Sequence, residues 1–256
     1  MGFIQAIIYL IVLGIIYKKM IDKEGSSRIS KAQAITPVIL GVVSLPISFI
    51  FFIFIGITIK KITGYSLGDG PLLLGSFTKA FFGAGLNEEI AKMIMLLISV
   101  RIFKKKIRNV YEYILIGAGV GFGFTLLEEF TYGSSIITLL VRLIGIAGHM
   151  VFGMIMGEFI GLARYNKENG NGKSRNEYVL AFLVPLGIHT LYDTLVLNQF
   201  LNSTNDEMIT IGICISFAGM VLMVALQIYV FMRFKKNIDR WINLNFANGP
   251  DITAVS

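Results

Sequence analysis

Ten ionisable side chains fall inside otherwise apolar stretches of the chain: Glu88, Glu89, Lys92, Glu128, Glu129, Arg142, His149, Glu158, His189 and Asp193. An acid or base at the centre of a membrane-spanning helix costs ~2.5–3.5 kcal/mol on insertion scales, so five deep acids facing lipid would cost more than ~12 kcal/mol. That is on the scale of a whole domain's stability, ~5–15 kcal/mol. These residues are therefore expected to face one another across a bundle interior or a water-filled cavity, where they mark functional sites. The set offers carboxylates and imidazoles. Glu88 and Lys92 are four apart, as are His189 and Asp193, so each pair shares a helix face. A glutamate withdrawn from bulk water can serve as general base on a water molecule. A histidine can donate to or position that water, and an aspartate one turn on can hold the histidine's tautomer. Alternatively, two histidines and one or two carboxylates can hold a divalent metal that activates the water. Both routes end in hydrolysis of an acyl bond.

Other chemistries lack their residues. There is no Gly-x-Ser-x-Gly, no His-Glu-x-x-His and no phosphate-cradling glycine loop. Cys214 is the single cysteine, which excludes an intramolecular disulfide and a thiolate zinc cluster, and it lies away from both histidines by run or depth.

The elements that must position the ionisable residues follow from composition. The 256 residues are 55% hydrophobic and 15% charged, against about 25% charged in soluble domains. A soluble domain, a disordered chain, a coiled coil and a disulfide scaffold are all excluded. The net charge of +7 fits cytoplasmic loops better than a nucleic-acid partner, and the bilayer is the expected surrounding. Runs near the ~20 apolar residues a span requires occur at about 2–17, 33–59, 82–103, 110–132, 136–163, 177–199 and 207–232. The expected fold is an all-α polytopic bundle of about seven transmembrane helices. Residues 1–236 form a single integral membrane domain with its motif core at 82–199, and 237–256 form a polar, largely unstructured cytoplasmic tail. Pro37 and Pro46 predict a kink or break in the second run, and residues 61–81 an outer loop with a short interfacial segment.

Basic residues set the orientation. Eighteen lie on alternate connections, after the first, third, fifth and seventh runs, whereas the stretches near Tyr132–Ser135 and Asn198–Glu207 carry none. The first run lacks a basic leader and is followed by Lys18 and Lys19, so a signal anchor is expected. The N-terminus is then outside and the C-terminus cytoplasmic.

Depth brings the ionisable residues to one level. At ~1.5 Å per residue, Glu88 lies ~22 Å, Glu128 ~27 Å, His149 ~21 Å, His189 ~18 Å and Asp193 ~24 Å above the cytoplasmic ends of their own runs. Four helices of alternating direction thus place them in the outer half of the bilayer. His149 also lies on a ridge with Gly145, Gly153, Gly157 and Gly161, and Gly117 to Gly123 thin the fourth run. Such ridges let helices approach closely. Plainer roles compete at some positions. Lys92 reads equally as a structural partner for Glu88 or Glu89. Glu158, nearer the cytoplasm, caps a packing contact or lines an entrance. Glu129 points ~100° from Glu128, at the helical angle per residue, which leaves Glu128 the central one. Arg142 is expected to snorkel to the outer surface.

The motifs resemble a known family. Glu88-Glu89-Ile90-Ala91-Lys92 is similar to the Glu-Glu-x-x-Lys motif of PrsW-type intramembrane proteases, which are related to the CAAX prenyl protease and bacteriocin-immunity group. Gly121 to Thr125, continuing through Glu128 to Tyr132, resembles the second motif. His149 to Gly153, continuing to Met156-Gly157, resembles the third, and His189-Thr190-Leu191-Tyr192-Asp193 the fourth. Glu129 departs from the asparagine expected there. The resemblance implies a multi-pass endopeptidase of the bacterial cell membrane, acting on a single-pass membrane protein. Site-1 cleavage of an anti-sigma factor in regulated proteolysis is the precedent. Implied site residues are Glu88 as base, Glu89 as supporting acid or second base, Glu128 completing the polar layer, and His149 and His189 on the water, oxyanion or metal. Asp193 orients His189. A divalent metal such as zinc is an open cofactor, with His149, His189, Glu128 and Asp193 as candidate ligands. Two rivals remain. A proton- or ion-coupled transporter would also use acid and histidine chains, but no repeat is visible. A non-enzymatic immunity protein could share the fold.

Overall fold

The computed structural model describes residues 2–25, 29–131, 142–143, 145–170, 172 and 174–246, with side chains from residue 7 onward. The described residues form helices α1 (Gly2–Glu24), α2 (Lys31–Thr63), α3 (Leu72–Thr78), α4 (Leu86–Phe103), α5 (Val110–Glu128), α6 (Gly148–Glu168), α7 (Ser174–Val196) and α8 (Asp206–Asn243). A π-helical turn, Lys79–Gly85, joins α3 directly to α4, and a short 3₁₀ turn, Gln199–Asn202, precedes α8. No strand occurs among the described residues, so the all-α expectation holds.

Among the described residues, four stretches are long and apolar enough to cross a membrane: α2, α5, α7 with the turn after it, and α8. The third apolar run loses apolarity to the residues that make it interesting, since α4 carries Glu88, Glu89, Lys92 and Arg101. The start of the fifth run, 136–141, and the connection Tyr132–Ser135 lie outside the described residues.

α5 is the axis of the bundle. Every residue from Val110 to Thr125 is buried, as expected of a helix apolar on all sides. Its glycines explain how neighbours approach so closely. A methyl group on Gly117 would collide with the Gly153 carbonyl of α6, and one on Gly153 with the Gly117 carbonyl. On the opposite face, Gly123 leaves room for the Val38 carbonyl of α2, and Gly119 for Pro37 and the Tyr17 hydroxyl of α1. The helices meet backbone to backbone, so the groups they carry are held by main chain and not by adaptable side chains.

α2 runs unbroken from Lys31 to Thr63 through both prolines, so the expected break at Pro46 does not occur. Its N-terminus is closed by a capping box between Ser30 and Gln33. Its outer face is apolar and exposed, with Ile50, Phe54 and Ile62 more than 60% accessible, as a lipid-facing helix requires. A second correction concerns the segment from Asn237. α8 continues through Asn243, Asn245 bridges Asn109, and Phe246 is buried in the core. Trp241 and Phe246 supply the apolar contacts that order this stretch; 247–256 lie outside the described residues.

Candidate active site

The π-helical turn delivers the first acids. Gly85 ends it, facing Thr190 of α7 closely enough that a Cβ would sit 2.7 Å from the Thr190 hydroxyl. One residue later α4 begins, and its first turn carries Glu88 and Glu89. π-turns occur frequently at functional sites because they re-aim the residues after them.

Glu89 is completely buried. Its Oε1 lies 2.6 Å from Lys92 Nζ and 2.7 Å from His189 Nδ1. A carboxylate only accepts, so Nδ1 of His189 donates to it, leaving Nε2 toward Glu88 and Asp193. Nε2 is 3.4 Å from Asp193 Oδ2 and 3.8 Å from Glu88 Oε2. Lys92 reaches on to His149 Nδ1 at 2.9 Å and lies 4.3 Å from the centre of the Phe124 ring. Nε2 of His149 is 2.8 Å from Glu128 Oε2. An ammonium on one nitrogen and a carboxylate on the other make Nε2 the donor. The two imidazoles stand edge to face, 5.3 Å apart, with Phe152 stacked on His189.

Glu88, Glu128, His149, His189 and Asp193 line one cavity of about 330 Å³. The convergence expected from helix depth is present. Glu89 stands behind the cavity wall, in contact with the residues that line it but not lining it itself. Oε2 of Glu88 is buried and has no hydrogen-bond partner in the protein, although such atoms are normally satisfied.

Three residues weighed as peripheral take definite places. Arg142 does not snorkel. It binds Glu129 at 2.5 and 2.8 Å and Glu128 at 3.0 Å, on the cavity wall. The extra acid Glu129 is thereby buried as an ion pair. Glu158 pairs through both oxygens with Arg233 of α8, away from the cavity, as a packing contact would. Sequence reasoning missed the Lys92–His149 contact and the role of Arg142. The three-residue spacing of Glu89 and Lys92 was a usable signal for their pairing; nothing local signals contacts across 57 or 13 residues.

Glu88, His149 and His189 each offer a ligand atom within 4.8 Å of the others, so these three could hold a metal ion. The orphaned Glu88 oxygen and the carboxylate behind His189 fit such a role, since metal-bound histidines characteristically donate their second nitrogen to a carboxylate. Glu128 and Asp193, the carboxylates considered from sequence, stand one contact further out.

The chain matches the family described as PrsW family intramembrane metalloprotease over residues 35–230. It is 34% identical over 123 residues to Protease PrsW of Bacillus subtilis (strain 168), covering 46% of this chain and 54% of that protein. Protease PrsW of Geobacillus kaustophilus (strain HTA426) is 30% identical over 137 residues, covering 52% and 58%. That of Halalkalibacterium halodurans (strain C-125) is 31% identical over 123 residues, covering 46% and 54%. The chain thus spans about half the length of the relatives it matches. No solved structure matches it. A multi-pass bacterial membrane protein by its apolar helices and its relatives, this chain belongs to the PrsW family of intramembrane metalloproteases.

Proposed function

We propose that this protein is an intramembrane endopeptidase that hydrolyses a peptide bond of a single-pass membrane protein. The observation that carries the reading is the Glu88 Oε2 atom. It is a buried carboxylate oxygen without a hydrogen-bond partner, on a cavity shared with two histidines. As general base, Glu88 takes a proton from water that attacks the scissile carbonyl. His189, its Nδ1 held by Glu89, presents Nε2 to the same space and positions that water or the developing oxyanion. His149 donates from Nε2 toward Glu128, and Arg142 balances the charge of Glu128 and Glu129. Glu89 is a positioning residue in this scheme, because its oxygen is committed to His189 and Lys92. Asp193 is a second restraint on His189. Glu88, His149 and His189 would hold a divalent ion such as zinc, His149 giving up its contact with Lys92 or with Glu128 to do so, and the ion when bound would supply Lewis acidity for the hydrolysis.

The relatives named Protease PrsW, and a cavity of about 330 Å³ on which the carboxylates and both histidines converge, support this reading over an ion-coupled transporter. Seven spans with the N-terminus outside, as the basic residues require, put the cavity in the outer half of the bilayer. Cleavage near the outer face, with an anti-sigma factor as substrate in regulated proteolysis, follows from that placement and from the family precedent. The test is purified protein in proteoliposomes with candidate single-pass substrates, with and without a chelator. A fragment cut near the outer face supports the proposal, and intact substrate under every condition contradicts it.

A further inference from the structure

A second cleft, about 200 Å³, reaches Glu88 and Glu128 from the opposite side. The main cavity approaches them past α6, α7 and Met223 of α8; the second lies between α2 and the π-helical turn. Phe49 and Phe52, both more than 40% accessible, form its lip. Its inner surface is polar at a depth where α2 is otherwise apolar.

The chemistry of that surface is one-sided. Asn87 gives one of its two amide hydrogens to the Phe82 carbonyl, 2.6 Å away, and its Oδ1 is buried with no hydrogen-bond partner. The Ser48 hydroxyl donates to Leu45 at 2.7 Å, and that of Thr131 to Glu128 at 2.7 Å. Both hydroxyl hydrogens and one amide hydrogen are thus committed within the protein, so the cleft presents mainly acceptors, ending at Glu88 Oε2, which has no hydrogen-bond partner. A wall of buried acceptors suits a small donor. The volume suits several waters, at ~30 Å³ each. Hydrolysis also imposes a supply problem, because a peptide filling the main cavity covers Glu88 from that side.

We propose that this cleft is the water inlet of the site, hydrating Glu88 from the α2 side while a peptide occupies the cavity on the α7 side. Its effect on turnover rests on the hydrolytic reading above; hydration of the cleft is measured independently of it.

The experiment uses the full chain in proteoliposomes with Cys214, which is exposed, changed to serine. Ser48→Cys and Ile50→Cys are compared with a small cationic methanethiosulfonate. Ser48 is 4% accessible and Ile50 65%, so burial alone predicts faster reaction at 50. A hydrated cleft predicts the reverse, by at least about tenfold, because the reactive thiolate forms only where water reaches it. Equal rates, or faster reaction at 50, overturn the inlet. Gly83→Leu then plugs it: a Cβ at Gly83 meets only Lys79 Cγ, at 3.8 Å, so the longer side chain has room to enter. Starved of water, this variant is expected to lose about tenfold in kcat with KM unchanged. A raised KM with unchanged kcat would make the cleft a substrate subsite, and no change in either would make it idle; both overturn the proposal. Labelling at 48 supports the inlet even where the unaltered protein cleaves nothing, an outcome that counts against the hydrolytic reading alone.

Discussion

One oxygen of Glu89 holds both His189 Nδ1, at 2.7 Å, and Lys92 Nζ, at 2.6 Å. A histidine on α7 and a lysine on α4 are thereby fixed by a carboxylate that does not itself line the cavity. Lys92 passes the constraint to His149 on α6, so three helices are registered around one buried charge. A network of this kind is stabilising only while every member is satisfied.

Glu89→Gln is therefore expected to lower thermal stability. It leaves Lys92 buried with its nearest acid, Glu88, 3.7 Å away, and removing one partner of a buried ion pair typically costs ~3–5 kcal/mol. Adding Lys92→Met removes the stranded charge and should restore part of that stability. Cleavage should stay impaired, because the amide oxygen left beside His189 Nδ1 carries no charge and holds that histidine more weakly than the carboxylate did. Unfolding in detergent and cleavage rate, measured on both variants, check this. A double variant no more stable than the single one would disprove the pairing.

The glycines of α5 give a stability prediction free of charge effects. Gly117→Ala and Gly123→Ala place a methyl group against the Gly153 and Val38 carbonyls, which cannot move without separating helices. Overpacking of this sort costs ~1–3 kcal/mol or more. Gly187 in α7 has nothing within 4 Å of its would-be Cβ, so Gly187→Ala should be neutral or gain ~0.5–1 kcal/mol from helix propensity. Thermal unfolding of the three variants decides it.

Much of this was legible in the sequence. Counting depth along Glu88, Glu128, His149, His189 and Asp193 placed them at one level because a helix rise is constant, and the structure brings all five to one cavity. The glycine ridge around His149 likewise foretold a close helix contact, realised against Gly117 and Gly121. What was not legible depends on rotation and on long-range partners. Depth says nothing of azimuth, so Glu89 was not separable from the cavity-lining acids. The inward turn of Arg142 depends on Glu129, thirteen positions away across a connection. The helical stretch after Asn237 looked polar because its anchors, Ile238, Trp241 and Phe246, are spaced out among polar residues and do not register as an apolar run.

Arg142 and Glu129 should behave as a unit. Arg142→Gln strands two adjacent carboxylates and is expected to reduce cleavage, because the uncompensated charge of Glu128 and Glu129 then bears on His149 and the cavity. Combining it with Glu129→Asn, the residue type expected at this position from the resemblance, should be milder than Arg142→Gln alone. A double-mutant cycle on cleavage rate measures the coupling, expected in the range ~0.5–3 kcal/mol for contacting residues. Strict additivity would contradict the pairing.

Orientation has its own test. Cysteines placed in the turn after α4, at Lys104 to Lys106, should react only with reagent on the cytoplasmic side, and cysteines at Asn202 to Thr204 only from outside. Labelling of the Lys104 turn from outside would reverse the topology, and with it outer-face cleavage.

The most direct measurement is cleavage of a single-pass substrate by Glu88→Gln at matched expression. Glutamine keeps the shape of the side chain but cannot take the proton from water, so substrate binding should survive while the chemical step falls by ~10²–10⁴-fold. His189→Ala should be comparably damaging, Asp193→Asn milder. Glu158→Gln, paired with Arg233 away from the cavity, should cleave at close to the unaltered rate. Full cleavage by Glu88→Gln would contradict its assignment as the base.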